Sequence, residues 1–126
     1  MANRGESTSI AAAVEATIDV LEHRPAALLF DFDGVLSRLV DHPADAAIEQ
    51  RSEAAIEDLT DHYDVVGIVT GRAADDVREK LDTSKLVVVG NHGLEWVMRG
   101  EYQAHAAGVE AEAAISAAMD EIRERV

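Results

Sequence analysis

The chain contains three short runs of apolar residues, at 26–30, 65–69 and 86–90, and the strand predicted from the first run extends to Phe32. Continuous apolar runs of this length are typical of strands that are buried on both faces of a parallel sheet. The stretches between them, 52–62 and 73–81, instead repeat apolar residues every three or four positions, which predicts amphipathic helices. The expected inward residues are Ala55, Ile56, Leu59, Ala74, Val77 and Leu81.

The alternation of strand, helix, strand, helix and strand predicts two right-handed crossovers and therefore a parallel sheet in an α/β fold. A helix is predicted before this core, over 7–23, with Ser7, Thr8 or Ser9 as its cap and residues 1–6 as a frayed tail. After the core, 94–98 and 101–103 are expected to pair as a hairpin, and 109–126 to form a last helix. The predicted division is a leading helix (1–24), a βαβαβ core (25–92) and a hairpin with a helix (93–126).

The composition of the chain argues against some classes of binding partner. The 126 residues carry a formal net charge of −14, which argues against nucleic acid and against anionic membrane surfaces, because both are bound through Lys and Arg. There is no cysteine, so neither disulfides nor zinc–thiolate sites are expected. With no signal-peptide pattern at the start, we expect a cytoplasmic protein.

The candidate chemistry begins at the end of the first strand, where Asp31 and Asp33 flank Phe32 and Gly34 follows. Alternation along a strand directs the two carboxylates the same way and Phe32 into the packing. Because two like charges this close repel, we expect a divalent cation with oxygen ligands, such as Mg²⁺. One aspartate is then suited to attack phosphorus and the other to handle the proton, while Gly34 lets backbone N–H groups approach an anion.

A second polar cluster ends the next strand. Thr70 supplies a hydroxyl, and Gly71 a backbone N–H, that can donate to a phosphoryl oxygen, as can the start of the following helix. Arg72 either orients the substrate or a loop, or forms an ion pair with a nearby acid such as Asp33. Asn91 and His92 follow the third strand in a turn at the same edge of the sheet.

Four segments carry a family resemblance: FDFDGVL (30–36), VDHP (40–43), VTGR (69–72) and GNHGLE (90–95). The first resembles the DxDG motif of the haloacid dehalogenase (HAD) superfamily, and together they resemble the N-terminal half of the trehalose-phosphate phosphatases. The resemblance implies a Rossmann-like, doubly wound parallel sheet. It also implies Mg²⁺-dependent hydrolysis of trehalose 6-phosphate through an aspartyl-phosphate.

The resemblance also assigns roles. Asp31 is the expected nucleophile, Asp33 the acid and base, and both are expected to hold Mg²⁺. Gly34, Thr70 and Gly71 correspond to the phosphate-binding positions. The residues carried over as substrate contacts are Arg72, Asn91, His92 and Glu95.

The superfamily's third and fourth motifs, a Lys or Arg and further Mg²⁺ carboxylates, have no counterpart here, nor has the cap that covers the sugar. The expectation is therefore an N-terminal portion whose isolated activity is in doubt. Two alternatives stay open. One is a general sugar-phosphate or nucleotide phosphatase of the same superfamily. The other is a non-catalytic interaction module, in which the open sheet edge self-associates or meets a missing C-terminal half.

Overall fold

The computed structural model describes residues 9–125. Its helices are α1 (Ile10–Leu21), α2 (Gln50–His62), α3 (Ala74–Lys80) and α4 (Ala106–Arg125). Its strands are β1 (Ala27–Phe30), β2 (Val65–Val69), β3 (Val87–Gly90), β4 (Glu95–Met98) and β5 (Glu101–Ala104). Short 3₁₀ turns cover Pro43–Asp45 and Asn91–Gly93.

The strands form one five-stranded sheet in the order β1-β2-β3-β4-β5. β1, β2 and β3 are parallel, as the sequence predicts, and β4 and β5 extend the sheet as an antiparallel hairpin. Arg99 and Gly100 make the hairpin turn, both with positive φ. The carboxyl ends of β1, β2 and β3 therefore meet at one edge, where open α/β sheets place their ligand sites.

The core lies on one face of the sheet. The strand register aligns Phe30 with Ile68, Ile68 with Val88, and Val88 with Val97. Ile56 of α2 and the predicted inward residues of α3 pack on this row of side chains. Because the strand order runs steadily away from β1, two right-handed crossovers put α2 and α3 on the same face.

The expectation of strands buried on both faces is wrong for the described part of the chain. On the face opposite α2 and α3, Leu29 is 57% exposed and Val69 is 42% exposed. Ala55 of α2 is also exposed rather than inward. The apolar run 26–30 is long enough for a buried strand, but its length alone does not say which faces are covered.

The first and last helices, α1 and α4, form as predicted, but they bury few of their side chains. Ser9 caps α1 by accepting the Ala12 N–H at 3.1 Å, which satisfies one of the unpaired amides at the start of the helix. No residue of α1 or of α4 is buried. The predicted tail at 1–6, the candidate caps Ser7 and Thr8, and the last residue of the predicted final helix lie outside the described residues. None of the helices described in 9–125 is both long and apolar enough to cross a membrane.

Replacing Ile68 by Ala should lower the free energy of unfolding by about 2–5 kcal/mol, because this side chain is 1% exposed and its loss leaves a cavity. The matched control is Val69→Ala on the same strand, whose exposed side chain should cost less than about 1 kcal/mol. Urea unfolding followed by far-UV circular dichroism measures both. Equal losses would show that the face covered by α2 and α3 is not the core.

Candidate active site

The turn after β1 is anchored by Phe32, whose side chain is fully buried. Its carbonyl accepts the N–H groups of Leu36 and Ser37, each at 3.0 Å. Asp31 on one side is exposed and Asp33 on the other is half-buried. The strand ends at Phe30, earlier than predicted, but burial of Phe32 still leaves both carboxylates at the edge of the sheet.

Gly34 shapes this turn with a φ of 79°, a left-handed conformation that costs glycine little. Its N–H donates to the Ser37 carbonyl at 2.9 Å. Donation from this amide to a phosphoryl group therefore requires that bond to open. In this structure the role of Gly34 is to form the turn.

Thr70 and Gly71 follow β2, the strand that pairs with β1, and they line the same cleft as Asp31 and Asp33. Thr70 is 5% exposed, its N–H donates to the Val89 carbonyl at 2.9 Å, and its Oγ1 accepts the Arg72 N–H at 3.1 Å. The hydroxyl is thus fixed by the backbone, and its own hydrogen remains available to donate. That arrangement suits a rigid donor to an anion.

The turn after β3 has an unusual backbone. Asn91, His92 and Gly93 all have positive φ, at 46°, 56° and 94°, and such conformations at non-glycine residues cluster at functional sites. The His92 N–H donates to the Thr70 carbonyl at 3.3 Å. The imidazole lies against Gly71, where an added Cβ would sit 2.6 Å from its Cε1. Any larger residue at position 71 would therefore displace the His92 ring.

Arg72 supplies the positive charge of the site. Its Nε donates to Asp33 Oδ2 at 2.8 Å and its Nη2 to Asp33 Oδ1 at 2.7 Å, which is a bidentate ion pair. These hydrogen bonds hold the pKa of Asp33 below its usual value, although partial burial opposes them. The pKa of Arg72 is raised by its hydrogen bonds to Asp33 and Asp76. Asp33 is accordingly a carboxylate in this arrangement.

These groups line one open cleft with a volume of about 790 Å³. The cleft is lined by Asp31, Asp33, Leu39, Val40, Asp41, Pro43, Thr70, Gly71, Arg72, Ala73, Asp76 and His92. The structure thus brings together six residues that the sequence singled out, from the ends of three strands. Gly34, Asn91 and Glu95 lie outside this lining.

Glu95 has a different setting from the one the resemblance assigns. It is 8% exposed, its Oε1 accepts the Ala74 N–H at the start of α3, and its Oε2 accepts the Tyr102 hydroxyl, both at 2.6 Å. The first amide of α3, which was expected to face an anion, is therefore capped by protein. Two protein partners account for the burial of Glu95 without a substrate.

The carboxylates present match part of a magnesium site. Mg²⁺ commonly takes one or two carboxylates and completes its shell with water and substrate phosphate. The exposed Asp31 carboxylate fits that pattern, whereas both carboxylate oxygens of Asp33 are bonded to Arg72. Between residues 9 and 125, no group of three or more His, Cys, Asp or Glu side chains is arranged to hold a metal ion.

Comparison with known proteins identifies the family. The trehalose-phosphatase family model matches residues 29–125, a range that includes the whole cleft. The chain belongs to the trehalose-phosphatase family. This match confirms the family resemblance carried by the motifs.

This chain matches curated relatives over part of their length. A trehalose-phosphate phosphatase of Mycobacterium leprae is 36% identical over 77 residues, which are 61% of this chain and 18% of that protein. The probable trehalose-phosphate phosphatase G of Arabidopsis thaliana is 30% identical over 74 residues, 59% of this chain and 19% of that protein. The chain matches about a fifth of the length of these curated relatives.

Solved structures support the same fold. A trehalose-6-phosphate phosphatase related protein superposes with a TM-score of 0.64 at 22% identity, covering 79% of this chain and 43% of that one. The C-terminal domain of C. albicans trehalose-6-phosphate phosphatase gives 0.62 at 23% identity, covering 71% and 32%. The α/β fold is therefore confirmed over the matched part.

Sequence reasoning missed two members of this region. Asp76 lies one helical turn after Arg72, so the i,i+4 spacing was the available signal. Tyr102 lies diagonally across the hairpin from Glu95, and the predicted hairpin register would have brought them together. Neither residue belongs to a motif that the chain displays.

The hydrogen bond from Tyr102 to Glu95 raises the pKa of Tyr102 to about 12. A Tyr63→Phe variant leaves Tyr102 as the single tyrosine, so absorbance at 295 nm during alkaline titration reports it alone. The midpoint should lie near 12, and Glu95→Gln in that background should move it toward 10.0, the ordinary value. The stabilisation from this bond is complete below pH 10 and disappears as the pH rises through 12.

Circular dichroism recorded at each pH identifies the range in which the chain is folded. A midpoint at the ordinary value in both proteins would show that Glu95 and Tyr102 are not bonded in solution.

Proposed function

We propose that the chain carries the nucleophile side of a phosphatase site for trehalose 6-phosphate, in the manner of its family. The observation that supports this most is the cleft itself, where Asp31, Asp33, Thr70 and Gly71 converge from two parallel strands. In the proposed roles, Asp31 is the nucleophile, Asp33 carries the proton, and Thr70 and Gly71 donate hydrogen bonds to the phosphate. The cleft volume of about 790 Å³ is in the range of small-molecule sites.

In the proposed reaction, a carboxylate oxygen of Asp31 attacks phosphorus and the bond from phosphorus to the sugar oxygen breaks. Asp33 delivers its proton to that oxygen, so trehalose leaves and Asp31 carries the phosphoryl group. Asp33 then takes a proton from water, which attacks the same phosphorus, and the bond from phosphorus to Asp31 breaks to release phosphate. One aspartate is thus acid in the first step and base in the second.

The donors at the end of β2 stabilise the charge that develops on phosphorus. The Thr70 hydroxyl and the Gly71 amide are placed by strand geometry before any substrate arrives, which lowers the cost of reorganisation. His92, held against Gly71, bounds the cleft on the side of β3. Asn91 remains a proposed substrate-side residue from the resemblance.

Mg²⁺ is the proposed cofactor, and the Asp31 carboxylate and the Asp33 backbone carbonyl would hold it. It would supply positive charge that offsets the negative charge of the reacting groups. Since the described residues offer so few protein ligands, we expect weak binding of the metal in the absence of substrate.

Because of its ion pair with Arg72, Asp33 must be protonated before it can act as the acid in the first step. Asp33 is paired with Arg72 as a carboxylate, which is the form that serves as base. To act as acid, Asp33 must first take up a proton, and this weakens its bond to Arg72.

The test is Mg²⁺-dependent phosphate release from trehalose 6-phosphate. Asp31→Asn should reduce turnover at least about a thousandfold, because the amide is not a nucleophile. Asp58→Asn, an exposed position on α2 with the same change of charge, is the control and should keep wild-type turnover. Retained activity in Asp31→Asn would refute the mechanism.

The same assay separates the substrate classes. Faster release from trehalose 6-phosphate than from glucose 6-phosphate supports the trehalose activity. Equal rates support the alternative of a general sugar-phosphate phosphatase.

A second candidate, of a different class, is an interaction module. It is favoured by the edge position of β1 and by the exposed apolar face that contains Leu29 and Val69, since open edges pair with other strands. In this case the chain should self-associate or bind a polypeptide that adds a strand beside β1. Sedimentation velocity over a hundredfold range of concentration tests it, and a folded monomer throughout would count against it.

A further inference from the structure

Arg72 makes more contacts than an ion pair requires. Besides its two bonds to Asp33, its Nη1 donates to the Pro43 carbonyl at 2.9 Å and to Asp76 Oδ2 at 2.6 Å. Its guanidinium carbon lies 5.4 Å from the centre of the buried Phe32 ring. The side chain is only 10% exposed, so its charge is directed into the protein.

The Pro43 contact connects Arg72 to the far wall of the cleft. Leu39, Val40, Asp41 and Pro43 line that wall, and all four belong to the irregular segment between β1 and α2. The segment carries local bonds from the Asp45 N–H to the His42 carbonyl and from the Ala46 N–H to the Pro43 carbonyl. Its position relative to the sheet is set by Ala46, which is 3% exposed in the core, and by contacts such as the one from Arg72.

Asp76 fixes the direction of the guanidinium. It lies on α3, and it accepts from Arg72 at 2.6 Å while Lys80 Nζ stands 3.9 Å from its other oxygen. Lys80 also reaches the Ala44 carbonyl at 3.5 Å. The helix thus offers a carboxylate that holds Arg72 on the side facing the loop.

We propose that Arg72 is a positioning residue that locks Asp33 and the 39–46 loop into one wall of the cleft, and that Asp76 acts through Arg72. The inference deepens the proposed function, on which its catalytic part rests. It replaces the substrate contact that the resemblance assigned to Arg72, because the contacts above direct this side chain toward protein groups.

Only arginine satisfies this geometry. The planar fork donates to both oxygens of Asp33 and, from another nitrogen, to Pro43 and Asp76. A lysine keeps the charge but has one nitrogen with three donors, so it cannot hold the bidentate pair and the other two acceptors together. Arg72→Lys therefore removes the positioning while it keeps the charge.

The chemical consequence concerns the leaving group. Arg72 holds the Asp33 carboxylate in place at the cleft, so loss of the fork displaces the group that takes up the proton and delivers it. An alkyl phosphate needs this proton, because an alkoxide is a poor leaving group, whereas p-nitrophenolate leaves without it. The two substrates therefore separate misplacement of Asp33 from general damage to the site.

Hydrogen exchange tests the structural part of the proposal without requiring turnover. The variants are Arg72→Lys, Asp76→Asn and their double mutant, with Arg78→Lys and Asp75→Asn as controls. The controls alter the exposed ion pair between Asp75 and Arg78 nearby. The Asp45 and Ala46 amides, which donate the hydrogen bonds of the loop, should exchange at least about tenfold faster in both test variants and keep wild-type rates in the controls. The double mutant should match Arg72→Lys, because Asp76 acts through that residue.

Turnover tests the catalytic part. With an alkyl phosphate, Arg72→Lys and Asp76→Asn should lower kcat at least about tenfold more than with p-nitrophenyl phosphate, and KM should change little. Equal losses with both substrates, or additive effects in the double mutant, would overturn the positioning role. So would unchanged exchange of the loop in a folded Asp76→Asn protein. If the wild type turns over neither ester, the proposed function fails, while the exchange result still decides whether Arg72 locks the loop.

Discussion

The arrangement of this cleft depends on how negative charge is balanced at the edge of the sheet. Asp31, Asp33 and Asp76 all line the cleft in a chain of net charge −14, and Arg72 donates to two of these three carboxylates. Without a cation there, Asp33 and Asp76 would repel each other across a cavity that is partly shielded from water, where such repulsion is stronger than in bulk solvent. The Arg72 guanidinium lets the acids lie close together, and the loop at Pro43 takes its place through the same group.

Burial of Phe32 is the second requirement. The Phe32 side chain is buried in the core directly below the turn. The Phe32 carbonyl accepts hydrogen bonds from the backbone amides that close the turn. Because Asp31 and Asp33 flank this anchor, the hydrophobic effect fixes the two carboxylates at the cleft, although neither belongs to β1. Arg72 then rests above the Phe32 ring, so the apolar anchor and the ion pair support each other. A change at position 32 would therefore move both acids as well as weaken the core.

Local pattern predicted the elements well, because strands and helices follow from the period of the apolar residues and from nearby turn chemistry. The runs at 65–69 and 86–90, the inner face of α3 and the hairpin turn at Arg99 all agree with the structure. Coverage of the sheet could not be predicted in this way, since exposure of Leu29 depends on what packs against β1 from elsewhere. The left-handed backbone at His92 could not be predicted either, because residues other than glycine seldom adopt it. The contacts of His92 with Thr70 and Gly71 explain it.

Motifs pointed to six residues that line the cleft, but they did not distinguish residues that face the cleft from residues that support it. Glu95 belongs to the same GNHGLE segment as His92. Glu95 caps α3 and accepts a hydrogen bond from Tyr102, whereas His92 packs on Gly71 at the cleft. The difference follows from strand geometry. His92 belongs to the turn before β4, whereas Glu95 is the first residue of that strand and points with Val97 toward the helices. Position within the fold therefore decides which polar residues of a motif can reach a phosphate, and a motif's chemistry should be assigned only after its strand register is known.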